Sequence, residues 1–215
     1  MKKTGTTKTA TKTTAAKKTA AKTTPAGDAP IVAFDGPRAW STWLAANHAS
    51  SRGVWLKLAK KASGVASVTY PEAVDVALVW GWIDGQKRSF DETAWLQKFT
   101  PRSAKSIWSK INREKALALI ASGEMQPPGL AEVERAKRDG RWDQAYDSPS
   151  RATVPPDLSD ALAKNTRAAA FFATLDATNR YAMLFRIQTA KKPETRQKRI
   201  TQFVEMLAKH EKLHP

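Results

Sequence analysis

The densest run of chemically able side chains in this sequence is Trp80-Gly81-Trp82-Ile83-Asp84-Gly85-Gln86-Lys87-Arg88. Phe99-Thr100-Pro101-Arg102 follows it, and then Lys105-Ser106-Ile107-Trp108-Ser109-Lys110-Ile111-Asn112. Flat rings, cations and hydroxyls dominate these segments, with Asp84 as the one carboxylate. Cations beside a helix start, where unpaired N–H groups point outward, make an anion site. Rings beside cations can stack a planar ligand or a base. The candidate ligand-binding or anion-binding residues are therefore Trp82, Asp84, Lys87, Arg88, Thr100, Arg102, Lys105, Trp108, Ser109 and Asn112. Asp84 could act as a general base, but no partner is evident, and no catalytic residue is assigned. A structural role competes, since tryptophans fill cores and Asp84 can brace Arg88. Arg102 weighs the other way, because a cation in a helix's first turn opposes the helix dipole.

A second basic cluster is Ala190-Lys191-Lys192-Pro193-Glu194-Thr195-Arg196. Lys191, Lys192 and Arg196 surround a helix start there, as an anion or partner-docking patch or as a solvated connection. Other chemistries lack their residues. The chain has no cysteine, which excludes disulfides, thiolate zinc sites, iron–sulfur clusters and cysteine nucleophiles. His48, His210 and His214 offer no pair at ligand spacing with a third donor, so neither a metal nor a cofactor is expected. No glycine pattern of a nucleotide-binding fold is present.

These side chains need elements to position them. Residues 53–60 alternate with Val54, Leu56 and Leu58 on one side, as a half-buried strand does. Asp35-Gly36-Pro37 starts a helix carrying Trp40, Trp43 and Leu44 on one face. Thr69-Tyr70-Pro71-Glu72 has capping-box spacing for a second helix, which Gly81 stops. Residues 82–89 and 93–99 read as an antiparallel hairpin with a bulge at Gly85. Thr100-Pro101 then opens a long helix with Ile107, Ile111, Leu117 and Ile120 inward and Gly123 at its end. After a loop at 125–129 and a short helix at 130–138, residues 147–156 are rich in Ser, Pro and Asp and mark the best boundary. Four helical stretches begin near Pro156, Asn165, Asp176 and Pro193. The fold class is α+β: a small antiparallel sheet of about three strands packed with helices, plus a helical C-terminal subdomain. The expected division is a tail at 1–27, an α+β core at 28–148 and helices at 149–215.

Charge is uneven along the 215 residues. Lys and Arg number 36 against 20 Asp and Glu, a formal net charge of +16. Residues 1–27 hold seven lysines, ten threonines, six alanines and no acid, which leaves 29 basic against 20 acidic side chains elsewhere. With no large apolar residue after Met1, this tail cannot oppose its chain entropy and is expected to be disordered. It resembles the Lys/Ala tails of bacterial histone-like proteins, and suits non-specific, salt-sensitive attraction to nucleic acid. No apolar run reaches the ~18 residues of a membrane span, so no stable membrane insertion is expected. The Met1-Lys2-Lys3 start has no signal-peptide apolar region behind it, and the expected location is the cytoplasm.

Several segments together resemble the bacterial YdeI/OmpD-associated family. They are Gly53-Val54-Trp55-Leu56, Tyr70-Pro71-Glu72-Ala73-Val74, Gly81-Trp82-Ile83-Asp84-Gly85 and Phe99-Thr100-Pro101-Arg102. Trp108-Ser109-Lys110-Ile111-Asn112, residues 139–146 and the 190–196 cluster add to them, so the resemblance runs from about Phe34 to Leu207. It implies a role in bacteriocin protection or in association with an outer-membrane porin, and brings no catalytic residue or cofactor. A chain this basic is a poor direct trap for cationic peptides. The reading is a non-catalytic stress or antimicrobial-peptide resistance accessory that binds an anionic small molecule or a protein partner. The alternatives are a nucleic-acid-associated protein led by its tail, and an enzyme of unrecognised type using Asp84.

Overall fold

The computed structural model describes residues 29–215. The lysine-rich stretch at 1–27, and the disorder expected of it, lie outside the described residues. In chain order the elements are β1 (Ile31–Ala33), α1 (Pro37–Asn47), β2 (Val54–Ala59), α2 (Tyr70–Val79), β3 (Trp82–Ser89) and β4 (Ala94–Pro101). Then come α3 (Lys110–Ala121), α4 (Pro127–Arg138), α5 (Pro156–Ala163), α6 (Thr166–Thr174), α7 (Ala177–Gln188) and α8 (Pro193–Ala208). The architecture is mixed helix and sheet, as the residue patterns predict.

The sheet corrects the expected strand count. Its order is β1-β2-β4-β3, four strands among the described residues, with β1 parallel to β2 and the other pairs antiparallel. At three residues β1 is too short to show alternation in the sequence, and α1 is the crossover that makes it parallel. In β3 the register slips between Asp84 and Lys87, so Gly85 and Gln86 form the bulge. Thr69 caps α2 with the predicted box, its N–H donating to Glu72 Oε2 at 2.9 Å. Gly81 ends that helix region at φ +71°, where a Cβ would stand 2.7 Å from the Pro128 carbonyl oxygen.

One predicted helix start is wrong. Thr100 and Pro101 finish β4, paired with Ile83 and Trp82, and α3 begins only at Lys110. Ser109 is the cap, its Oγ accepting the Asn112 N–H at 3.1 Å. Sheet pairing thus holds the Thr-Pro pair, and residues 102–109 become a connecting loop. The shifted start turns Leu117 outward at 49% exposure and puts Ala116 in the core.

Three apolar clusters hold the chain. Helices α1 and α2 cover the sheet face that carries Val54, Leu56, Leu58, Trp82 and Phe99, with the Trp40 indole donating to the Ala73 carbonyl at 3.1 Å. Leu78, Trp108, Ala116, Val133, Ala136 and Trp142 join the end of α2 to α3 and α4. Leu158, Met183, Ile187, Ile200, Phe203 and Leu207 form the core of α5 to α8. Asp147 ties this last group to α3, since its carboxylate accepts from Lys110 Nζ at 3.0 Å and from Gln188 Nε2 at 2.7 Å. Tyr146 adds an edge-on ring contact to Phe185 at 4.9 Å.

Candidate functional site

Arg102 is fixed by its backbone before its side chain does anything. Its N–H donates to the Gly81 carbonyl at 3.0 Å, and its carbonyl accepts from Arg135 Nη2 at 3.2 Å. The strand end and α4 thereby aim the side chain inward, where it is 5% exposed. The guanidinium lies over the Trp108 ring with its carbon 3.9 Å from the centroid, a cation–π stack. Its one hydrogen bond among the described residues runs from Nη1 to the Ile107 carbonyl at 3.4 Å, and Nε has no partner.

Arg141 shows what is missing. At 6% exposure it is equally buried, yet its Nε and Nη2 hold Asp139 at 2.7–2.9 Å and its Nη1 donates to the Ser106 carbonyl. Arg102 has no such carboxylate, and forms no salt bridge among the described residues. Glu132 and Asp84 act on it only through space. Burial pushes its guanidinium down to about 10, so it stays protonated at neutral pH.

Tyr146 and two carboxylates, Asp84 and Glu132, act on this cation without bonding to it. Asp84, half-buried ahead of the bulge, accepts the Tyr70 hydroxyl at 2.7 Å. Burial raises the Tyr70 pKa first, and the hydrogen bond and charge of Asp84 raise it further. Tyr146 is placed by a short bridge beside Ser109: its N–H donates to Trp108 and its carbonyl accepts from the Lys110 N–H at 2.8 Å. Burial and then the charge of Asp84 raise the pKa of its phenol, opposed by Arg102 and Ser109. Glu132 is also raised by burial, against the pull of Arg135, Arg102 and Arg141.

The structure therefore gathers Asp84, Arg102, Trp108 and Ser109 and adds Tyr70, Tyr146 and Glu132, which the sequence reading missed. Tyr70 sat in the capping-box segment and Tyr146 at the end of the 139–146 run, but nothing in their spacing joined them. The remaining candidates go elsewhere. Trp82 is buried against Trp40 and Trp43 with its indole N–H unpartnered. Thr100 sits on the strand face opposite Phe99, Lys105 is exposed in the loop, and the Asn112 N–H is used by the cap. Lys87 stacks on Trp95 and Arg88 on Trp55, both beyond the bulge. Arg102 itself lies in no helix turn, so the dipole argument made for it does not apply.

The second basic cluster is divided likewise. Arg196 is a brace: Nε and Nη2 hold Asp157 at 2.6 and 2.9 Å, and Nη1 donates to the Ile187 carbonyl at 3.1 Å. Lys191 and Lys192 are exposed at the start of α8. Among the described residues no three His, Cys, Asp or Glu side chains gather as metal ligands would.

Fold and site together define an α+β protein with a buried arginine that forms no salt bridge among the described residues. Residues 151–210, which hold α5 to α8, match the family model described as Bacteriocin-protection, YdeI or OmpD-Associated. Residues 32–132, which hold nearly all of the sheet and Arg102 itself, match a different model, a domain of unknown function (DUF8412). The resemblance read over Phe34 to Leu207 thus has its family match in the C-terminal part alone. No curated protein and no solved structure matches the chain. Among the described residues no helix is long and apolar enough to cross a membrane.

Proposed function

We propose that this protein is a bacterial protection accessory, acting in the cytoplasm, that holds a small anionic ligand at Arg102 and catalyses no reaction. The observation that carries the reading is a guanidinium 5% exposed, with no salt bridge and a single long hydrogen bond among the described residues. A buried cation is costly unless paired, and an anion supplies the missing partner. Trp108 keeps the guanidinium plane fixed, so its free edge presents parallel donors, the geometry that suits carboxylate or phosphate oxygens. The Tyr146 hydroxyl adds a neutral donor near it. The 102–109 loop beside it has local bonds, the Ser103 N–H to Ser106 Oγ at 3.0 Å and the Lys105 N–H to Ser103 Oγ at 3.2 Å. The C-terminal family match supports the protective role, and the basic charge favours an indirect one over capture of cationic peptides.

A catalytic reading has one observation of its own, the 2.7 Å Tyr70–Asp84 hydrogen bond, which pairs a carboxylate with a hydroxyl beside a cation. Mass spectrometry of anions copurifying with the native full chain, followed by calorimetric titration of the anion found and of inorganic phosphate, tests both. Binding that Arg102→Met weakens about tenfold or more supports the accessory, while turnover of the bound anion, lost in Asp84→Asn, replaces it with an enzyme. Equal binding to parent and Arg102→Met removes the site.

A further inference from the structure

The sheet face opposite α1 and α2 carries a different chemistry. Trp55 of β2 lies beneath Arg88 at 4.3 Å and Lys98 at 5.5 Å, and Lys57 stands 4.6 Å from the Phe90 ring. Lys87, 4.5 Å from the Trp95 ring, belongs by register to the other face but is exposed on β3, the free edge of the sheet. Phe90 in the connecting turn is 45% exposed. Lys87 and Lys98 form no salt bridge among the described residues, whereas Lys57 pairs with Asp91 at 3.2 Å. Cations on an edge strand ordinarily deter strand-to-strand aggregation. That purpose does not explain Lys57 and Lys98, which stand on the inner strands β2 and β4, where no edge needs guarding. The described chain starts two residues before β1, the neighbour of β2, and the seven lysines of residues 1–27 precede it in sequence.

We propose that the outer face and free edge of the β3–β4 hairpin form a binding surface for single-stranded nucleic acid. The charge is complementary to a phosphate backbone, and Phe90 supplies a ring on which a base can stack. Half-buried Lys57 and Lys98, with an open aromatic at the turn, favour unpaired bases over a duplex, whose stacked bases offer no face to Phe90. Recognition here is sequence-blind, since no side chain on this face is placed to read base edges.

The test is fluorescence anisotropy of a labelled oligothymidylate with the full chain over a salt titration. Replacing Lys57, Lys87 and Lys98 together by Gln should lower the log K against log salt slope by about 2, at about 0.7 per phosphate contact. Phe90→Ala should weaken binding about fivefold or more. A matched triple, Lys164→Gln, Lys209→Gln and Lys212→Gln, removes the same charge from exposed C-terminal positions and should leave the slope unchanged. Removing residues 1–27 should reduce affinity but keep the hairpin-dependent part. Thermal melts of every variant establish that the fold is intact. The proposal is overturned if the oligonucleotide does not bind. It is equally overturned if both triples act alike, if deleting residues 1–27 abolishes all binding, or if only vesicles of anionic phosphatidylglycerol respond to the hairpin changes.

Discussion

Replacing Arg102 by Met separates a cation kept for a ligand from a cation kept for architecture. Burial has moved the guanidinium from 12.5 to about 10. At 1.36 kcal/mol per unit this is a cost of about 3 kcal/mol for holding the charge inside. Against it stand the stack on Trp108 at 3.9 Å, worth about 2 kcal/mol when desolvated, and the bond to Ile107. At 3.4 Å that bond sits at the weak end of its class, about 0.5 kcal/mol. The two sides nearly cancel. A Met fills most of the same volume without the charge, so Arg102→Met should unfold within about 1 kcal/mol of the parent. Arg102→Ala should lose a further ~2–4 kcal/mol, because the cavity beside Trp108 has no means to close. Ligand affinity, measured by titrating the copurified anion, should fall by ~1.5–3 kcal/mol, or about tenfold to a hundredfold, in both variants. Urea unfolding of parent, Met and Ala forms, with Asp84→Asn as a companion, decides the matter. The reasoning is refuted if Arg102→Met alone loses more than about 3 kcal/mol and its double mutant with Asp84→Asn loses no more. That outcome would make the pair a through-space brace between β3 and the 102–109 loop.

Thr69→Ala removes the hydroxyl of the capping box and should cost about 1 kcal/mol in a urea melt, with the m-value unchanged. Gly81→Ala meets both φ +71° and the Pro128 oxygen 2.7 Å away, and should cost about 3 kcal/mol or more. Gly64→Ala, at φ +66° with open space around it, should cost only about 1 kcal/mol; equal losses would deny the contact with α4. Hydrogen bonds hold Glu72, Asp91, Asp139, Asp157 and Asp176 below their ordinary values, Asp91 at about 2. Because the folded-state values are depressed, their stabilisation is present above pH ~4 and lost as pH falls toward ~2. The urea midpoint should therefore drop steadily on acidification, and a flat midpoint down to about pH 2 would contradict it.

Local signals were legible where a few neighbouring residues settle the outcome. The alternation at Val54, Leu56 and Leu58, the Thr69–Glu72 box, the bulge at Gly85 and the α8 face of Ile200, Phe203 and Leu207 each depend on contacts within one element or one hairpin. Thr100-Pro101 carried an equally good local signal for a helix start, and pairing with Trp82 and Ile83 overrode it. The parallel placement of Ile31–Ala33 was illegible for the same reason, since three residues carry no period and their partner lies across α1. At the site, residue types alone marked Asp84, Arg102, Trp108 and Ser109 as able to meet an anion. Only the tertiary structure brought Tyr70 and Tyr146 to them, tied Arg196 to Asp157, and gave Arg102 among the described residues no carboxylate such as Arg141 has in Asp139. Composition and periodicity are properties of neighbours along the chain, whereas desolvation and ion pairing are set by whatever the fold packs beside a group. The identity of the charged residues was therefore written in the sequence, and which of them is paired was decided by packing.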